Sequence, residues 1–410
     1  MDELYRKYAK VLLENCLKIE KKQPLFISYN KDIEYFVDIV KEIANYMGIK
    51  DIYLNRVNPK ENHRLLVSNK SIDELKKLPN WNREIWNEYA NKDAAFLMLL
   101  SLYSGLMSDV DSNRLSEMTK YSLETSQEFD DARSKSSLSW CIAAVPNKEW
   151  AKELFPDKRN ALKILWDKIF EVCLIKEDNP GKAWDERLNT ITKRAKILNN
   201  YQFKYLKYKS DKGTDLVIEL PNNRIWQTGL ELINNKKNVL VNFPTEEIFT
   251  SPLRSSANGI VYSTKPLNYN DIEIDDFWIK FKDGKAIDCK AKKGEDTLKM
   301  LINITPGSDY LGEVAIVQYD SPISNTGMVF KETLFDENAS CHLALGDSFP
   351  ECIEDGLNKS KEELMDMGLN DSLSHVDFMI GDETLSIIGV TKDNKEYKIL
   401  ENGNFTKLFN

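Results

Sequence analysis

Apolar residues recur at helical spacing through residues 3–20, where Leu4, Tyr8, Val11, Leu12 and Leu17 share a period. This predicts an amphipathic helix. The apolar run at 24–29 then predicts a buried strand, residues 32–47 return to helical period, and 51–54 is strand-like. Residues 94–103 and 138–145 predict two further strands, each followed by polar or helical sequence. Strands alternating with helices imply a parallel sheet covered by helices. Residues 147–200 read as mostly helical, punctuated by Pro146-Asn147 and Pro156-Asp157, with a break expected at Asn179-Pro180-Gly181.

From about residue 201 the pattern shortens. Strands are expected at 203–208, 216–220, 238–243, 259–262 and 277–281, separated by turn sequences such as Asp211-Lys-Gly213, Pro221-Asn-Asn223 and Asp283-Gly284. The expected organisation is therefore α/β with two domains: an N-terminal parallel-sheet part over 1–200 and a C-terminal mixed α+β part over 201–410. One late helix has clear ends. Ser360 with Glu363 fits a capping box, and Gly368 fits the position just past the last turn.

Composition narrows the class. With 56 Lys plus Arg against 65 Asp plus Glu, the formal charge is -9, so neither nucleic acid nor an anionic membrane is an expected partner. The six cysteines are far apart without C-x-x-C spacing, which favours reduced thiols over a disulfide framework. The start, Met1-Asp2-Glu3-Leu4-Tyr5, is acidic rather than a basic leader, and the longest apolar run, 94–100, is too short to cross a bilayer. A cytoplasmic location is the default.

No G-x-G-x-x-G or P-loop follows a predicted strand, and neither H-E-x-x-H nor G-x-S-x-G occurs. The chemistry gathers instead around two of the three histidines. His375 and Asp377 are two apart, so a strand projects both from one face. His342 lies in an apolar stretch, and alone it reads as a core residue. Glu313 precedes the apolar run 314–317, while Glu246 and Glu247 follow Asn242-Phe-Pro-Thr245. Asp336 and Glu337 read either as a polar turn or as groups that orient ligand imidazoles. Together these residues supply enough imidazole and carboxylate for one or two borderline divalent cations.

Four ordered segments carry a resemblance: 242–252 (Asn-Phe-Pro-Thr-Glu-Glu-Ile-Phe-Thr-Ser-Pro), 311–315 (Leu-Gly-Glu-Val-Ala), 333–346 and 375–381 (His-Val-Asp-Phe-Met-Ile-Gly). They resemble the signatures of the M29 metallo-aminopeptidases, most densely from about residue 215 onward. The resemblance implies a two-domain α/β dimer acting on peptides with a free N-terminus. It also implies two divalent ions (zinc, cobalt, magnesium or manganese) held by Glu247, Glu313, His342, His375 and Asp377. Glu246 remains an alternative to Glu247 as first ligand, and Glu313 is the expected catalytic acid, bridging the ions or helping to activate water. Where the family pattern has a tyrosine, seven residues after the histidine matching His342, this chain has Phe349. A phenol can donate to an oxyanion and a phenyl ring cannot. The alternatives are therefore another metal-dependent amidohydrolase, or a weakly active homologue that binds metal or peptide.

Overall fold

The apolar runs of the first half become the strands of one parallel sheet. In the computed structural model, which describes all residues except 104, 235, 270 and 271 together with the side chains of 112 and 116, the strand order is Asn242–Phe243, Trp140–Ala144, Ala95–Leu100, Leu25–Asn30, Ile52–Val57. Every pairing in it is parallel. Leu25, Phe26, Ile27, Phe96 and Leu97 are completely buried, as expected when helices cover both faces of a parallel sheet. These strands belong to a unit formed by Met1–Trp184 and Leu230–Pro244.

Two expectations shift. The sequence at Asn179-Pro180-Gly181 starts a helix rather than breaking one. Helix Pro180–Tyr201 opens there, with Asn179 Oδ1 accepting from Lys182 N at 3.1 Å. Proline suits a first helical turn, whose N–H would have no helical partner anyway. The single strand expected over 238–243 divides in two. Lys237–Leu240 pairs with Leu230–Ile233, whereas Asn242–Phe243 joins the parallel sheet, with the Phe243 ring buried against Tyr8 and Trp184.

Asp185–Gly229 and Thr245–Asn410 form the second unit. It holds a nine-stranded sheet and a five-stranded antiparallel sheet, the latter ordered His375–Met379, His342–Gly346, Leu311–Ile316, Ile248–Thr250, Gln227–Thr228. The protein is thus mixed α/β, with one parallel sheet and antiparallel sheets. Ser360 and Glu363 form the expected capping box on helix Lys361–Asp366, and Gly368 follows it at φ +96°. Among the described residues no helix is long and apolar enough to cross a membrane.

Candidate metal centre

The five-stranded sheet has two faces of opposite chemistry. Leu311, Val314, Ile316, Leu343, Leu345 and Phe378 point into the apolar core. On the other face the register aligns Glu313 with Ala344 and Ala344 with Asp377, and one step along it aligns His342 with Met379. Gly346 stands opposite His375. The small residues Ala344 and Gly346 therefore sit among the functional side chains and leave space between them.

A bulge makes this alternation possible. In a regular strand Leu311 and Glu313 would share a face. The register shifts between them, turning Leu311 to the core and Glu313 to the polar side. Gly312 permits the shift, because a Cβ there would lie 1.9 Å from Asp347 O.

The expected ligands converge. His342 Nε2 lies 3.3 Å from Glu247 Oε2 and 3.8 Å from Glu313 Oε1. His375 Nε2 lies 3.1 Å from Glu313 Oε2 and 3.6 Å from Asp377 Oδ1. Each oxygen of Glu313 thus faces a different imidazole. Donor atoms of Glu247, Glu313 and His342 fall within 4.8 Å of one another, as do those of Glu313, His375 and Asp377. Both rings are oriented from behind. His342 Nδ1 is 3.0 Å from Glu337 O and 3.1 Å from Ser340 O, and His375 Nδ1 is 2.8 Å from Asp347 O. Carbonyls only accept, so each Nδ1 carries a proton, and each Nε2 points into the cluster, where on losing its own proton it can offer a lone pair to a cation.

Electrostatics show how much the site needs a counter-charge. Burial pushes Glu313 up to about 7, against the pull of His375. Burial, then the nearby charges of Asp377 and Glu247, drives Glu337 well above the usual carboxylate range. Burial opposes a charged imidazole, yet the surrounding carboxylates hold both His342 and His375 well above their ordinary value. Desolvation works against Asp377 as an anion, but His375 outweighs it and keeps that carboxyl low. Asp377 Oδ1 is buried without a hydrogen-bond partner. A buried set of carboxylates and neutral-capable imidazoles with an orphaned oxygen fits a divalent cation.

The two adjacent glutamates separate cleanly. Glu247 faces His342, whereas Glu246 is gripped by Arg187, whose Nε lies 3.0 and 2.8 Å from the two carboxylate oxygens. That fork-like pairing engages both oxygens of Glu246, the alternative first ligand, away from His342. Phe349 packs its ring 4.7 Å from that of His375 and 5.5 Å from that of Phe249. The nearby phenol of Tyr310 has the Arg254 guanidinium over its ring at 4.2 Å. The third histidine, His63, pairs with Asp109 at 2.6 Å. The sequence undervalued Glu337: its carboxyl feels Asp377, Glu247, His342 and Glu313 together, and its place five residues before His342 was the available signal.

Residues 1–405 match the family described as thermophilic metalloprotease (M29). Aminopeptidase AmpS of Bacillus subtilis (strain 168) is 36% identical over 400 residues, 97% of each chain. Aminopeptidase 2 of Geobacillus stearothermophilus is 36% identical over 401 residues, again 97% of each. The solved structure of wild-type AmpT from Thermus thermophilus superposes with a TM-score of 0.91 at 28% identity, covering 98% of this chain and 99% of that one.

Proposed function

The chain belongs to the thermophilic metalloprotease (M29) family, and from that premise we propose a metallo-aminopeptidase with a dinuclear centre built around Glu313. The enzyme class is the one for which its relatives are named, and it favours peptide hydrolysis over the other amide chemistries. Glu247, Glu313 and His342 would hold one divalent ion, and Glu313, His375 and Asp377 the other. Zinc, cobalt, manganese and magnesium are the candidates. Ions bound there supply polarisation of the scissile carbonyl and easier ionisation of a water nucleophile.

The chain's own residues supply the rest. Glu313 faces both imidazoles, where it orients the attacking water. Backbone carbonyls of Glu337, Ser340 and Asp347 lock the two rings. Phe349 shields His375 on one side but offers no hydroxyl to a developing oxyanion. The substrate is a peptide with a free N-terminus. A homodimer in the cytoplasm, with all six cysteines as free thiols, completes the reading.

The observation that supports this reading is the pair of donor groups, Glu247–Glu313–His342 and Glu313–His375–Asp377, that share Glu313. The test is hydrolysis of aminoacyl-p-nitroanilides against their N-acetylated forms, with and without chelator. Metal-dependent cleavage of the free-amine substrates alone supports the reading. Equal cleavage of both forms points to a general amidohydrolase, and metal binding without turnover points to a homologue disabled at Phe349.

A further inference from the structure

Strand His375–Met379 carries its polar face one residue beyond the ligands. His375 and Asp377 meet the carboxylate cluster, and Met379 is the next side chain on that face. Beside Asp377 and Met379 opens a cavity of about 100 Å³, several times the roughly 10–15 Å³ that one water needs. Pro266, Leu267, Val329 and Met379 form its apolar walls, with Asn268, Thr333 and Lys331 at its polar side, and Leu267 and Met379 are themselves buried. The face formed by those four apolar residues accepts an aliphatic group more readily than a polar one.

The charged groups around it are already matched. Glu273 is 2.8 Å from Lys293 and 3.8 Å from Lys331. Asp336 accepts from Phe330 N at 2.7 Å and is attracted by the Lys265 ammonium. Asp377 is the remaining anion, and it belongs to the proposed metal ligands. A lysine or glutamate side chain entering this space would therefore lose water without gaining an ionic partner.

We propose that the cavity formed by Pro266, Leu267, Val329 and Met379 receives the side chain of the substrate's N-terminal residue and selects a medium-sized aliphatic one, such as leucine or methionine. The inference rests on the aminopeptidase reading. The first peptide carbonyl must reach the ligand cluster, and the side chain on the adjoining α-carbon then falls beside Asp377, where the cavity begins. Methylene differences in an apolar pocket change kcat/KM by roughly 10–200-fold, so leucine should exceed alanine by at least tenfold.

The test compares leucyl-, methionyl-, alanyl-, phenylalanyl-, lysyl- and glutamyl-p-nitroanilides on the metal-loaded enzyme, with L-leucinol inhibition as a second readout. Val329→Trp should fill the cavity. The leucyl-to-alanyl turnover ratio should fall tenfold or more, and leucinol inhibition should weaken in step. Met379→Ala should enlarge the space and raise phenylalanyl relative to leucyl turnover, which guards against misfolding of the first variant. An unchanged leucyl-to-alanyl ratio in both variants, with metal content retained, overturns the assignment. If the wild type cleaves none of the substrates, the enzymatic reading fails instead. The cavity is then judged by leucinol binding, and equal affinity in wild type and Val329→Trp rejects it.

Discussion

On the parallel sheet, neighbouring strands place Phe26 opposite Phe96 with ring centroids 4.9 Å apart. On the five-stranded sheet the comparable cross-strand row reads Glu313, Ala344, Asp377. The first row is held by removal of apolar area from water, worth about 25 cal/mol per Å². The second buries carboxylates, which costs several kcal/mol per ion unless charge and hydrogen bonds compensate. One region therefore provides stability, and the other consumes it for chemistry. A buried row that the hydrophobic effect cannot explain is where function lies.

The largest test of that contrast is Glu313→Gln, which keeps the shape of the side chain but removes the shared charge. Metal-dependent hydrolysis should fall by on the order of 10³-fold or more, with an unchanged far-UV circular dichroism spectrum. His375→Ala should behave alike. Phe96→Ala probes the other region. It should cost roughly 3–5 kcal/mol in chemical denaturation while leaving metal stoichiometry intact, and a loss of bound metal would show that the two regions are not separable in this way.

Legibility in the sequence follows the same division. The runs at 24–29 and 138–145 announced buried strands because apolar residues there answer only to water. The capping box of Ser360 and Glu363 was equally local, three residues apart. His375 and Asp377 were readable as one strand face. Glu313 was harder: its face depends on the bulge at Gly312, where Asp347 O approaches closely from just past the end of a neighbouring strand that is remote in sequence. The Arg187–Glu246 pair spans 59 residues and leaves no local pattern. Nor does the burial of Glu337, which depends on the strands that surround it. The M29 resemblance supplied the choice of ligands that residue chemistry alone had left open.

Smaller effects sharpen the account. Phe349→Tyr restores a donor beside His375 and should raise kcat tenfold or more, since a single oxyanion donor is worth about 10²–10³. An unchanged rate would mean that another group already serves. Glu332 tests what a buried carboxyl does outside the ligand triads. Burial, followed by Asp336, pushes it up to about 8, and its Oε2 is buried without a partner. Unfolded, it titrates near its ordinary value of 4.5. Between those two values the folded state keeps a proton that the unfolded state has lost, so stability falls as pH rises through that window. Glu332→Gln should flatten the slope and stabilise the protein at pH 8 by on the order of 2 kcal/mol, measured by denaturation from pH 5 to 9. An unaltered slope would remove Glu332 from the account.

Metal stoichiometry read alongside turnover tests the shared role of Glu313 most directly. Wild type and Glu313→Gln would be loaded with zinc, cobalt or manganese, dialysed, and analysed by inductively coupled plasma mass spectrometry and leucyl-p-nitroanilide hydrolysis. The account predicts two ions per chain in the wild type, at most one in the variant, and hydrolysis only where both are present. Two ions retained in Glu313→Gln, or hydrolysis that survives complete chelation, would contradict it.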